Sequence, residues 1–231
     1  MTAILSNLQA IHQAIEQAAK AAQRESASVH LLAVSKTFPA EVVREAYAAG
    51  QRAFGESYVQ EAVDKINALH DLPLEWHFIG PIQSNKTRDI AANFSWVHGV
   101  DRLKIAQRLS EQRPADLPPL NICLQVNVSG EASKSGIAPA EAEALAREVV
   151  QLPKLKLRGL MAIPAPSDDF EQQRLPFAQL REMLQALDHE GIKLDTLSMG
   201  MSHDFVAAIK EGATIVRVGT AIFGDRDYEG K

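Results

Sequence analysis

Eight short β-branched or apolar runs occur along this chain, each but the last followed by residues patterned as a helix, and this alternation constrains the fold more than any other feature. The runs fall at 29–35, 52–55, 75–80, 95–100, 119–128, 155–163, 195–199 and 214–219. Helical patterns follow at 39–49, 57–70, 85–93, 101–113, 139–152, 168–190 and 202–211, with none expected after the eighth run. Parallel neighbours need a crossover between them, so strand–helix alternation implies a parallel sheet. Eight units match a closed (β/α)8 barrel, and 231 residues is close to its usual ~250. The rival is an open doubly wound sheet, and it is weakened because no G-x-G-x-x-G turn follows the first run. The expected fold is therefore an α/β chain forming a single (β/α)8 TIM barrel with an additional N-terminal helix. Neither a repeat nor a linker divides the chain, so one domain over 1–231 is expected, with 1–25 as a docking helix. Ile4, Leu8, Ile11, Ile15, Ala18, Ala19 and Ala22 give that segment its helical spacing.

Composition removes several classes of function. Hydrophobic residues at 46% and charged residues at 23% suit a globular chain with a sizeable core. The net charge of −5 leaves no basic excess to lead binding to a nucleic-acid backbone. Cys123 is the only cysteine, which excludes an internal disulfide and a zinc site built on several thiolates. No run approaches the ~20 apolar residues of a membrane span. The N-terminus lacks a basic segment followed by an apolar block, and Glu16 and Glu25 fit a transit peptide poorly. These features predict a cytoplasmic protein with no nucleic-acid or membrane partner, expected as a monomer.

In a barrel, chemistry belongs at the C-terminal ends of the strands. The first strand runs into Lys36, which shares parity with Leu32 and Val34 and so points to the same face. Partial desolvation there lowers a lysine pKa and frees the amine as a nucleophile, whereas a lysine just past a strand end can equally be a solvated surface residue. Arg217 lies inside the eighth strand, sharing parity with Ile215 and Gly219. A buried cation there needs a carboxylate or a ligand. Closure of the barrel sets the first strand beside the eighth and brings Lys36 and Arg217 to one cavity. The seventh strand runs into Ser198-Met199-Gly200-Met201-Ser202, where Ser202 is a candidate helix cap, and the eighth runs into Gly219-Thr220. Loops after strands seven and eight commonly hold phosphate in barrels, although glycines in such loops also simply make tight turns. Taken together the set describes pyridoxal phosphate, with its aldehyde at Lys36, its ring nitrogen at Arg217 and its phosphate at the two loops.

The segments LLAVSKTFP, FGESYVQEA, WHFIGPIQSNK, HGVDR, NVSGEASKSG, GLMAIP and LSMGMSHDFVAAIKEGATIVRVGTAIFG run from about Leu31 to Gly224. They resemble the YggS/PROSC family of pyridoxal phosphate-binding homeostasis proteins. The resemblance implies an alanine-racemase-like barrel without that enzyme's second domain, and a role in buffering or delivering intracellular pyridoxal phosphate. It implies that Lys36 carries the cofactor as an internal aldimine and that Arg217 faces the pyridine nitrogen. It further implies that Ser202, Gly219 and Thr220 help bind phosphate, with Ser198 and Met199 nearby. Ser57 departs from the asparagine frequent in the family's F-G-E-N-Y motif, which puts an amide contact there in doubt.

Other polar positions carry two readings. His77 either flanks the cofactor or is a satisfied core histidine. Asn85 and Lys86 either approach the pocket mouth or start a helix in solvent. Glu131, Ser133 and Lys134 form either a mobile lip or an ordinary polar loop. Three functions compete: a cofactor carrier with PLP-dependent apo-enzymes as recipients, a PLP-dependent amino-acid racemase-like enzyme, and a cofactor-free Schiff-base aldolase. A carrier without robust catalysis is expected. Few residues follow the barrel to supply a closing domain, an arginine at the ring nitrogen weakens carbanion stabilisation, and no acid/base partner for an aldolase lysine stands out.

Overall fold

The computed structural model describes residues 2–130 and 135–225. Eight parallel strands close into a barrel in sequence order: β1 (His30–Val34), β2 (Ala53–Glu56), β3 (Glu75–Phe78), β4 (Trp96–Val100), β5 (Leu120–Gln125), β6 (Leu155–Met161), β7 (Thr196–Ser198) and β8 (Ile215–Val218). Closure sets β1 against β8 with Leu32 opposite Arg217 and Ala33 opposite Val218. The expected barrel is present; seven of the strands are trimmed at one or both ends by one to three residues, and β2 is shifted one residue on, ending at Glu56.

The helices are α1 (Ala3–Ala21), α2 (Ala40–Ala48), α3 (Val59–Ala68), α4 (Thr87–Asn93), α5 (Leu103–Gln112), α6 (Ala142–Val149), α7 (Phe170–His189), α8 (Phe205–Lys210) and α9 (Thr220–Phe223). Two departures from the sequence reading matter. A helix does follow the last strand, but α9 is a single turn, too short to print a periodicity. Helix α8 starts at Phe205, so Ser202 does not cap it: Asp204 occupies the cap position, and its carboxylate accepts from the Met201 N–H.

Eight strands need eight covering helices, and one turn after β8 is not enough. Helix α1 supplies the missing cover by packing between α8 and α2 while also meeting α9. Thr2 caps it, its hydroxyl accepting from the Leu5 N–H. The face carrying Ile4, Leu8, Ile11 and Ile15 is buried. Each of those side chains contributes about 1.5–3 kcal/mol of apolar burial.

Side chains alternate across each strand, giving two cores. The layer between barrel and helices is mostly apolar and includes Phe54, Phe78, Ile122, Leu124 and Val216. The smaller core inside the barrel holds Leu32, Trp96, Cys123, Met161 and Ile215. Gly159 lets β6 approach β7, since a Cβ there would fall 1.7 Å from the Thr196 carbonyl oxygen. No described helix is long and apolar enough to cross a membrane.

Candidate functional site

At the C-terminal ends of the strands a cavity of about 270 Å³ collects Lys36 and Val34 from the end of β1 and Arg217, Gly219 and Thr220 from β8 and its turn. Met201, Ser202 and His203 come from the loop after β7, and Ser57, Ile79 and Ile163 follow β2, β3 and β6. The parity argument holds for both cations, because Leu32 and Ile215 lie inside the barrel on the faces that Lys36 and Arg217 share.

The backbone is pinned on both sides of Lys36. Lys65 on α3 donates its Nζ to the Ser35 carbonyl at 2.7 Å. The Thr37 N–H donates to the Glu61 carboxylate. Lys65 also bridges Glu56 Oε1 at 2.8 Å and Glu61 Oε1 at 2.7 Å, and the Ser35 hydroxyl donates to Glu56. Thr37 itself is left-handed, φ 70°, a conformation costing about 1–3 kcal/mol for a non-glycine residue. The cluster behind the strand end holds that turn and so fixes where Lys36 departs. Burial pushes the Glu56 carboxyl up, and the Lys65 ammonium opposes it.

Arg217 is buried, and among the described residues no carboxylate forms a salt bridge with it. Its Nη1 donates to Ser198 Oγ at 2.8 Å and its Nη2 to the Ala162 carbonyl at 2.9 Å, both neutral acceptors. Burial pulls its pKa down to about 10, partly offset by Asp204, so the guanidinium stays charged at neutral pH. Its charge is thus met by neutral hydrogen-bond acceptors at the wall of the cavity.

Five of the seven expected binding residues line this cavity: Lys36, Ser202, Arg217, Gly219 and Thr220. Ser198 stands one layer behind it, bonded to Arg217. Met199 faces the layer between barrel and helices and is fully buried there. Gly200 makes the turn with φ 92° and is not on the lining. His77 does not flank the cavity; it is a core histidine bonded to His98 and Glu75. Asn85 and Lys86 form a 3-10 turn at Ser84–Lys86 ahead of α4, also off the lining. Glu131, Ser133 and Lys134 lie outside the described residues.

The sequence reading did not nominate Ile79, Ile163, Met201, His203 or the α3 pair Glu61 and Lys65. A signal did exist for the last pair, whose i,i+4 spacing follows a glutamate at a strand end. His98, a polar residue at barrel-facing parity inside an apolar strand, was equally visible and equally unread.

The eight-stranded parallel barrel falls in the family described as the alanine racemase N-terminal domain. The family model of that description matches residues 6–227. The chain belongs to the pyridoxal phosphate homeostasis protein family within it. It is 65% identical over 228 residues to the pyridoxal phosphate homeostasis protein of Pseudomonas aeruginosa, covering 99% of this chain and 98% of the relative. The Escherichia coli K12 protein of the same name is 53% identical over 239 residues, covering all of both chains. Among solved structures, PipY of Synechococcus elongatus with PLP bound matches with a TM-score of 0.84 and 40% identity, over 96% of this chain and 100% of that one. Alanine racemase from Corynebacterium glutamicum shares the fold at a TM-score of 0.73 and 18% identity, and the match covers 63% of that longer chain.

Proposed function

We propose that this protein binds pyridoxal 5'-phosphate at Lys36 and takes part in intracellular homeostasis of the cofactor, buffering or delivering it to PLP-dependent apo-enzymes. The observation that carries the reading is the convergence of Lys36 and Arg217 on one small cavity closed by the Ser202 and Gly219-Thr220 loops. The residues suit the group. The cavity is slightly below the ~300–1,000 Å³ of drug-sized pockets, which favours a single-ring ligand. Bound pyridoxal phosphate supplies an aldehyde that condenses reversibly with a lysine amine.

Each residue then has a task. Lys36 offers its amine from a turn pinned on both sides. Arg217, already supplied with acceptors for two of its N–H groups, would have others to offer the ring nitrogen and, being a cation, would disfavour a proton there. Ser202 and Thr220 offer hydroxyls to the phosphate, and Gly219 lets the backbone approach it. A ring whose nitrogen is kept unprotonated is a poor electron sink, which favours a carrier over a racemase-like enzyme. We read the whole chain, 1–231, as one cofactor-binding domain with 1–25 as its docking helix, acting as a cytoplasmic monomer. No helix among the described residues is long and apolar enough to cross a membrane, and Cys123 is free and buried.

The test is chemical trapping. Pyridoxal phosphate added to the protein should give a visible band that borohydride removes, leaving a pyridoxyl label on Lys36. Peptide mapping that finds the label mainly on another lysine, such as Lys86, would reject the assignment.

A further inference from the structure

A second, larger cavity of about 690 Å³ opens at the opposite end of the barrel, where Glu75 and His77 are among its lining residues. A single chain of hydrogen bonds crosses the interior between the two cavities. Arg217 Nη1 lies 2.8 Å from Ser198 Oγ, Ser198 Oγ 2.7 Å from His98 Nδ1, His98 Nε2 2.9 Å from His77 Nδ1, and His77 Nε2 2.8 Å from Glu75 Oε1. These residues come from β8, β7, β4 and β3, and all but Glu75 are buried.

With both rings neutral, the carboxylate end of this chain fixes every proton along it. A guanidinium only donates and a carboxylate only accepts. Ser198 accepts from Arg217, and with both rings neutral its hydroxyl hydrogen goes to His98 Nδ1. His98 then carries its hydrogen on Nε2 and donates to His77 Nδ1. His77 in turn donates from Nε2 to Glu75. A proton added to His98 would place a second donor against Ser198 Oγ and displace the hydroxyl hydrogen from its acceptor. Burial favours the neutral form of both imidazoles. The charged and titratable groups around the chain are Asp204 and Cys123 toward Arg217, and His30 and Arg158 toward Glu75.

We propose that His98 and His77 are positioning residues for the cofactor: they lock Ser198 as an acceptor for Arg217, holding the guanidinium so that its other edge meets the ring nitrogen. This rests on the pyridoxal phosphate reading of the cavity. It extends that reading from the lining residues to a directional chain reaching the opposite face of the barrel.

The experiment has two arms. In the cofactor-free protein, imidazole ¹⁵N shifts should show His98 and His77 both protonated on Nε2 only, still so at about pH 6, where a free imidazole is largely charged. Protonation of either ring on Nδ1 overturns the proposal. In the second arm, His98→Phe should weaken pyridoxal phosphate binding about tenfold while leaving the affinity for inorganic phosphate within about twofold, because the chain acts on the ring end alone. Ser198→Ala should do the same and serves if His98→Phe does not fold. Unchanged cofactor affinity in the folded variants, or equal loss of phosphate affinity, overturns it. Borohydride labelling of the wild type runs alongside. An unlabelled Lys36 overturns the reading of the cavity and the cofactor part of the proposal with it. A labelled Lys36 with unchanged affinities overturns the proposal alone.

Discussion

Lys65 Nζ and the Ser35 carbonyl oxygen are 2.7 Å apart, so an ammonium on α3 holds the peptide immediately before Lys36. The same ammonium is the shared cation of Glu56 and Glu61. Removing it does more than delete a contact. Glu56 is fully buried and one of its oxygens, Oε2, already has no hydrogen-bond partner, so Lys65→Met strands a carboxylate. Breaking a buried pair on one side costs about 3–5 kcal/mol. Urea denaturation should show a loss of that order for Lys65→Met. A midpoint within error of wild type would mean that the cluster does not hold the turn.

Gly200 offers a second handle on the same end of the barrel. Its φ is 92°, its carbonyl accepts from the Arg217 N–H, and a Cβ there would come 2.6 Å from the Ala208 Cβ. Gly200→Ala must either strain the backbone or displace α8, at about 1–3 kcal/mol for the strain alone. Because the loop also carries Ser202 to the cavity, the variant should melt lower and bind inorganic phosphate more weakly. Calorimetry and phosphate titration on one sample check both effects, and a thermal midpoint equal to wild type contradicts the expectation.

The barrel was legible because its evidence is local. Alternation inside HLLAVSK and IVRVG set the inward faces of β1 and β8, and closure followed from counting eight units. That was enough to bring Lys36 and Arg217 together across most of the chain. What escaped has physical causes. Ser202 and Asp204 are both good capping types two residues apart, and only the turn at 201–204 decides between them. Ser57, Ile163 and His203 reach the cavity from loops, where no periodicity states a direction. His98 meets Ser198 from 100 residues away, a partnership that parity permits but does not specify.

The two core histidines set a pH dependence. Burial holds both His77 and His98 below the usual imidazole value, His98 further than His77. The unfolded chain takes up protons on them near pH ~6.5, and the folded barrel does not. The unfolded state therefore binds more protons below that value, so stability falls as the pH drops through it toward the folded values. The limiting slope is about 1.4 kcal/mol per pH unit for each histidine. Glu75 is held low mainly by its hydrogen bond from His77, so its contribution is lost only below the ordinary glutamate range near ~4.3. Urea midpoints at about pH 7.5 and about pH 5.5 isolate the histidine window. Replacing His98 by Gln should remove its part of the slope, and an unchanged slope would assign the effect elsewhere.

Arg217→Leu separates binding from stability. The wild-type guanidinium bears the cost of a buried charge, since its described hydrogen bonds go to neutral acceptors. Leucine removes that cost. It also leaves the Ala162 carbonyl without its donor, a penalty of about 1–3 kcal/mol. These terms oppose each other and are of similar size, so the thermal midpoint of the cofactor-free protein should stay near wild type. Affinity for pyridoxal phosphate has no such compensation. Loss of a charge-assisted bond to the ring nitrogen, about 1.5–3 kcal/mol, corresponds to roughly a tenfold to hundredfold weaker Kd. Lys36 and the Ser202 and Gly219-Thr220 loops remain, so the variant should still colour at high cofactor concentration. An arginine that only braced the barrel would give the reverse pattern, with a lowered midpoint and unchanged affinity. Melting and cofactor titration of the same two proteins decide between the two roles.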